Sequence, residues 1–288
     1  MAGKIRVGVG GWTFAPWRGV FYPQGHRQKD ELAFASRQLT AIEINGTYYS
    51  GFSPATFAKW ASETPDGFIF SLKASRFCTN RRVLAEAGES IRRFFAQGIS
   101  ELDDRLGPIL WQFMATKKFD ADDIAAFLDL LPTDLASRPL RHALEVRHDS
   151  FKDARFVELC RERGVAICVG DHGVYPLIAD VTADFVYTRL MRGEDQIETC
   201  YPGADLGAWA ARLRAWSEGA APDDLPVLTP ARQAEGGRDV FAFLISGGKV
   251  RAPIGAMALI EELGRLTAPA LAPPVVTHSS EETRHDAR

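Results

Sequence analysis

Short apolar runs that end on a charged or amide side chain recur along almost the whole chain, separated by stretches of helical periodicity. Candidate strands fall at 5–11, 40–46, 68–73, 108–113, 142–147, 164–170, 185–190 and 239–245. Most are rich in β-branched or aromatic residues and alternate in polarity only in part, which is how strands covered on both faces read. Between them, Ser53 and Pro54 supply an N-cap and a proline suited to the first helical position, ahead of Phe57, Trp60, Ala61 and Thr64. Asp120 can cap a helix whose stripe is Ile124, Phe127, Leu128 and Leu131, with Pro132 just beyond. Residues 89–105, 153–163, 205–218 and 254–266 carry further helical patterns. This alternation predicts an α/β protein, a single TIM-type (β/α)8 barrel, with an open doubly wound sheet as the runner-up.

A chain of 288 residues suits one such barrel. The barrel domain is expected over 1–266. Residues 219–238, rich in Pro, Gly, Asp and Ala, read as a surface insertion. Residues 267–288 read as a disordered tail, because they offer too little apolar surface to offset ordering. No apolar run is long enough to span a bilayer, and the N-terminus has no signal-peptide core, so no membrane and a cytoplasmic location are expected. Cys78, Cys160, Cys168 and Cys200 lie far apart with no zinc-like spacing, and are expected as buried, reduced thiols. A net charge of −3 argues against nonspecific coating of nucleic acid.

In a parallel barrel the C-terminal strand ends meet at one mouth, where such barrels build active sites. The residues at those ends are Glu43 and Asn45, Lys73, Gln112, then Glu145 with Arg147 and His148, then Asp171 and Arg189. Residues two apart on a strand face the same side, so Glu145 and Arg147 are expected to point inward together while His148 turns away or starts the loop. Glu145, His148, Asp171 and Glu43 are the catalytic candidates, as carboxylates and an imidazole suited to proton transfer. Asn45, Lys73, Gln112, Arg147 and Arg189 are the ligand-binding candidates, joined by Trp12 and Tyr48.

Each assignment has a structural counterpart. Glu145 and Arg147 can simply seal the interior as an ion pair, and Lys73 can neutralise Glu43. Lys73 could alternatively form a Schiff base, but the acidic residues around it are expected to keep its pKa high. Paired carboxylates could hold a divalent cation through oxygen, although no metal motif supports one and the cofactor stays unassigned. Gly8, Gly10 and Gly11 fit no phosphate-binding pattern and read as close packing. Trp12, Phe14, Trp17, Phe21 and Tyr22 form either a lid or the packing of a long loop.

Several motifs also carry a family likeness. Gly10 to Pro23 (GGWTFAPWRGVFYP), Glu43 to Tyr49 (EINGTYY), Phe68 to Ala74 (FIFSLKA), Leu106 to Phe113 (LGPILWQF) and Leu144 to His148 (LEVRH) resemble the DUF72 (YecE-like) proteins. The likeness runs from about residue 5 to about 265. It implies a TIM-like barrel with a polar site and brings no established reaction. The chain departs from that pattern where Met114 and Ala115 follow Phe113 in place of a proline pair. It departs again where Leu244-Ile245-Ser246-Gly247 replaces adjacent asparagines, which implies lost amide contacts on the last wall of the pocket.

The favoured expectation is an enzyme that uses carboxylate acid/base chemistry on a small polar, anionic ligand. Glu145 would move protons, Arg147, Lys73 and Arg189 would hold the anion, and Asn45 and Gln112 would orient it. Two readings remain beside it. One is a nucleic-acid-binding or repair-type barrel using the aromatic cluster with Arg76, Arg81 and Arg82. The other is a barrel that binds a ligand without chemistry.

Overall fold

The computed structural model describes residues 1–230, 236–245 and 247–267. Eight parallel strands make up the barrel: β1 (Ile5–Gly10), β2 (Ala41–Ile44), β3 (Ile69–Lys73), β4 (Leu106–Gln112), β5 (His142–Glu145), β6 (Ala166–Ile167 continuing as Val169–Asp171), β7 (Phe185–Leu190) and β8 (Asp239–Leu244). The first piece of β6 pairs with β5 through Ala143 and Ala166, and the second pairs with β7 through Thr188 and Val169. β1 pairs with both β2 and β8. The row of strands therefore closes on itself through β6, which makes the chain a barrel and not an open sheet.

Helices pack around the outside: α1 (Glu31–Gln38), α2 (Pro54–Glu63), α3 (Gly88–Phe95), α4 (Ala121–Asp129), α5 (Ala154–Glu162), α6 (Gly203–Ser217) and α7 (Ala252–Thr267). The cap signals act as expected. Ser53 Oγ accepts from the Thr56 amide, and Asp120 accepts from the amides of Asp122 and Asp123. The 89–105 pattern is not one helix. It breaks after Phe95, Gly98 adopts a left-handed φ of 96°, and a 3-10 stretch follows over Ile99–Arg105. Helix α1 and a small antiparallel ribbon at Asp134–Leu135 and Arg138–Pro139 add to the expected elements. Of the expected tail, 267–288, Thr267 ends helix α7, and residues 268–288 lie outside the described residues, as does Ser246.

Strand alternation divides the apolar residues into two cores. Ala41, Leu110, Cys168, Phe185, Tyr187 and Phe243 point into the barrel and form a cluster of their own. Their neighbours Ile42, Trp111, Leu144 and Leu190 point outward against the helices. Each fully buried large side chain contributes about 1.5–3 kcal/mol relative to exposure, so both layers hold the ring closed. Trp111 sits edge-on to Phe127 at 5.7 Å and donates through Nε1 to His142 Nδ1 at 3.1 Å. His142 Nε2 lies 2.7 Å from the Pro132 carbonyl, and burial lowers its pKa to about 4, so this imidazole is neutral. All four cysteines are free and buried. Among the described residues no helix is long and apolar enough to cross a membrane.

Candidate functional site

The inward positions change character toward the C-terminal ends of the strands. The series Ala41 to Glu43, Ser71 to Lys73, Leu110 to Gln112, Ala143 to Glu145 and Tyr187 to Arg189 each advances by two residues along one face. Above the apolar interior lies a buried polar layer with Arg189 at its centre, 2% exposed. Its Nη2 donates to Glu43 Oε1 at 3.0 Å, and its Nη1 bonds Glu145 Oε2. Glu43 Oε2 accepts from the Tyr187 hydroxyl at 2.7 Å, which in turn lies 2.8 Å from Ser71 Oγ. Glu145 Oε2 also accepts from Gln112 Nε2 at 2.8 Å, and Oε1 accepts from Arg147 Nε at 2.7 Å. One guanidinium thus ties β2 to β5, and each of the four carboxylate oxygens has a donor.

This arrangement sets the chemistry of Glu145. Burial alone would raise its pKa, but the charges of Arg189 and Arg147 and the hydrogen bonds from Gln112 and Arg147 outweigh that and hold it down at about 2. A carboxylate so weakly basic, with both oxygens engaged, is a poor proton acceptor near neutral pH. The geometry therefore makes Glu145 a support for two arginines and speaks against the proton-moving role expected of it. Glu43 holds Arg189 and Tyr187 in the same way.

Above this layer opens a cavity of about 430 Å³. Lys73, Gln112, Arg147 and Arg189 from the strand ends and Asn45 after β2 form one side. Trp17, Tyr49, Lys249 and the apolar Leu244, Ile245 and Ala252 form the rest. Gly10 also borders it, because a Cβ there would stand 2.7 Å from Asn45 Nδ2 and 2.8 Å from Ile245 Cδ1. The departure at the end of β8 leaves Ile245 as an apolar wall. Arg189 Nε is buried and has no partner among the described residues.

Lys73 corrects the sequence reading twice. It does not neutralise Glu43, since Arg189 occupies that carboxylate, and no carboxylate among the described residues comes within ion-pairing distance of its ammonium. Nor does its pKa stay high. Burial, then the charge of Arg189, pull it down against Glu43 and Glu145, with Arg147 adding to the decrease, and the result is about 8. The Tyr48 ring lies 4.2 Å from Nζ, so Tyr48 backs Lys73 and does not line the cavity. Thr47 Oγ1 donates to the Lys73 carbonyl at 2.7 Å and fixes the strand end.

Other expected residues stand apart from the cavity. On β6 the inward positions are 166, 168 and 170, so Asp171 falls on the outer side, 3.6 Å from Arg192, and burial raises its pKa. His148 Nδ1 accepts from the Ser150 amide at 3.1 Å and caps the turn Asp149–Phe151, facing its own loop. Trp12 packs edge-on against Trp60 at 5.1 Å. Trp17, Phe21 and Tyr22 are buried packing for the long loop, with Trp17 also reaching the wall. Arg81 donates to the carbonyls of Phe77 and Glu86 and to Ser90, which ties it to its loop.

Lys249, Tyr187 and Ser71 belong to the arrangement and were not singled out as site residues. Tyr187 and Ser71 could have been found by extending the inward alternation one step below Arg189 and Lys73. Lys249 sits past the last strand, where no periodicity marks it. Its Nζ rests 4.1 Å from the Phe14 ring, and its carbonyl accepts from Trp17 Nε1 at 2.8 Å. Among the described residues no group of three or more His, Cys, Asp or Glu converges as a metal-ligand set.

Fold and site together define a parallel α/β barrel with a buried ion-pair layer beneath a cationic mouth. The pattern of the family described as "Protein of unknown function DUF72" matches residues 6–278, and the chain belongs to that family. It is similar to the solved DUF72 family protein from Thermotoga maritima, with a TM-score of 0.68 and 22% identity over 91% of this chain and 99% of that one. A DUF72 family protein from Enterococcus faecalis is similar as well, with a TM-score of 0.64 and 14% identity over 91% of this chain and 98% of that one. At such identities the likeness shows the fold alone. No curated protein matches the chain.

Proposed function

We propose that the mouth cavity binds a small ligand carrying a carboxylate or phosphate, and that the barrel is an enzyme acting on that ligand. One observation carries the binding half of this reading. Lys73, Arg147, Arg189 and Lys249 line the wall, and among the described residues no carboxylate does. The two glutamates beneath offset two of those four charges, which leaves a surplus of two positive charges. In a partly enclosed site such a surplus favours an anion far more than it would in open water. Arg147 keeps part of its guanidinium at the wall, with its side chain 22% exposed, and suits bidentate recognition of a planar or tetrahedral anion. Gln112 and Asn45 add amide contacts, and Trp17 with Ile245 gives the ligand's apolar portion a surface.

The enzyme half rests on the position of the cavity at the C-terminal mouth, which is an argument by analogy of fold. The buried glutamates then act as positioning residues for Arg189 and Arg147, and the chemistry falls to the groups that border the cavity.

A thermal-shift panel tests the reading, with inorganic phosphate, sugar phosphates, small carboxylic acids, their neutral counterparts and abasic oligonucleotides. A ligand at a hundredfold excess over its dissociation constant stabilises the native state by about 2.7 kcal/mol. Anionic small molecules are expected to raise the midpoint and neutral counterparts to leave it unchanged. A response to neutral ligands alone, or to oligonucleotides alone, would overturn the reading.

A further inference from the structure

We propose that Lys73 is an imine-forming residue, whose amine condenses with the carbonyl of a small aldehyde or ketone while the ligand's own anionic group is held by the arginines of the mouth. The inference rests on the anion-binding reading and adds a reaction to it. Lys73 borders the cavity and is 7% exposed, so its amine faces a space large enough for a small ligand while little of it meets open solvent.

A buried lysine ordinarily has a carboxylate to hold its charge. This one has none among the described residues, because Arg189, Arg147, Gln112 and Tyr187 engage the oxygens of Glu43 and Glu145. Two guanidiniums share its wall and oppose its protonation. The Tyr48 ring at 4.2 Å favours the charged form, but a ring face is a weaker partner than a carboxylate. With a pKa of about 8, roughly a tenth of Lys73 is neutral at pH 7, against well under a thousandth for an ordinary lysine. Burial and like charge are the two recognised ways of activating a lysine nucleophile, and both operate here.

The step balances without a cofactor. The lone pair of the neutral amine attacks the carbonyl carbon, and the π pair moves to oxygen. A proton passes from nitrogen to that oxygen to give a carbinolamine, and the hydroxyl then leaves as water with a further proton taken from solvent, equal to the one the Lys73 ammonium released on becoming the neutral amine. The product is an iminium at Lys73, which takes the place of the ammonium charge and is offset by the anionic group of the ligand. Such an iminium withdraws electrons from the adjacent carbon, which suits cleavage or proton exchange next to the former carbonyl.

The experiment is reductive trapping on the full chain. The protein is treated with sodium cyanoborohydride and glyoxylate, pyruvate, dihydroxyacetone phosphate or pyridoxal phosphate, with dihydroxyacetone as the neutral carbonyl. Peptide mapping then locates the adduct. We expect Lys73 to be labelled at least about tenfold faster than Lys4, Lys29, Lys59 or Lys249, with saturable dependence on the anionic carbonyl and protection by inorganic phosphate. Lys73→Arg should lose that adduct, and mapping of the wild type keeps the test valid if the variant does not fold. Labelling spread evenly over the lysines would overturn the proposal. A phosphate-induced thermal shift without any Lys73 adduct would overturn it while leaving the anion reading intact. Equal Lys73 labelling by dihydroxyacetone and dihydroxyacetone phosphate, with no protection by phosphate, would support the imine and refute the anion reading.

Discussion

Replacing Glu145 by Gln removes one charge from the polar layer and leaves the side-chain shape almost unchanged. In the wild type this carboxylate, 2% exposed, accepts from Arg189, Arg147 and Gln112. The variant presents an amide N–H₂ to a set of donors, leaves Arg147 without its carboxylate and leaves Arg189 on Glu43 alone. A pKa lowered from 4.5 to about 2 corresponds to about 3 kcal/mol of native-state stabilisation of the ionised form. Breaking one side of a buried pair costs about 3–5 kcal/mol, which agrees.

Urea unfolding at pH 7 should therefore show a loss of about 3 kcal/mol, or a fall in Tm of roughly 6–12 °C for a domain of this size. The sign with pH follows from linkage. A depressed folded-state pKa stabilises above the unfolded value, and that contribution is lost as pH falls from about 4.5 through about 2. The wild-type advantage over Glu145→Gln should shrink across that window. A variant within about 0.5 kcal/mol of wild type at pH 7, or a gap independent of acid, would refute the assignment of Glu145 as a charge-holding support.

Three further outcomes are expected. The rate of Lys73 labelling should rise through about pH 8, lower than for surface lysines, since burial and then the charge of Arg189 lower its pKa against Glu43 and Glu145, with Arg147 adding to the decrease; a rise only near pH 10 in mapped peptides would contradict this. Gly8→Ala should fail to give folded protein, because its Cβ would lie 1.9 Å from the Ala41 carbonyl oxygen, whereas Gly10→Ala should fold at a cost of about 1–3 kcal/mol and bind phosphate more weakly; circular dichroism and a phosphate titration distinguish them. Tyr187→Phe should lose about 1–3 kcal/mol in denaturant unfolding, because Glu43 Oε2 then keeps no donor in this layer.

The barrel was legible because its strands are covered on both faces, and such strands read as short, nearly continuous apolar runs at regular intervals. Its polar layer was legible for a different reason. Period-two alternation carries Glu43, Lys73, Gln112, Glu145 and Arg189 to one side with no further information. The same rule shows why Asp171 stands apart from the cavity. Cys168 interrupts β6 between its two pieces and faces inward, so the aspartate three positions on falls outside. His148 carries the capping role that is the ordinary reading of a lone histidine at the start of a loop.

Partner choice was the least legible feature. A list of charges cannot say that Arg189 takes both glutamates and leaves Lys73 without a carboxylate. That outcome depends on which strand ends lie across the barrel from one another, and only ring closure decides it. Helix α1 was missed although Asp30 stands at its N-cap, because its apolar residues Leu32, Phe34 and Ala35 directly follow a long aromatic loop that obscures their spacing; Asp30 makes no side-chain cap hydrogen bond.

The cationic mouth is tested most directly by calorimetric titration of inorganic phosphate into wild type and Arg147→Met at low salt. The variant removes one wall cation and leaves Glu145 held by Arg189 and Gln112. A hydrogen bond to a charged group contributes about 1.5–3 kcal/mol, so phosphate should bind the wild type at one site and bind the variant about tenfold to a hundredfold more weakly. Equal affinity in the two proteins, or no binding by the wild type to phosphate or to any anionic member of the thermal-shift panel, would contradict the account.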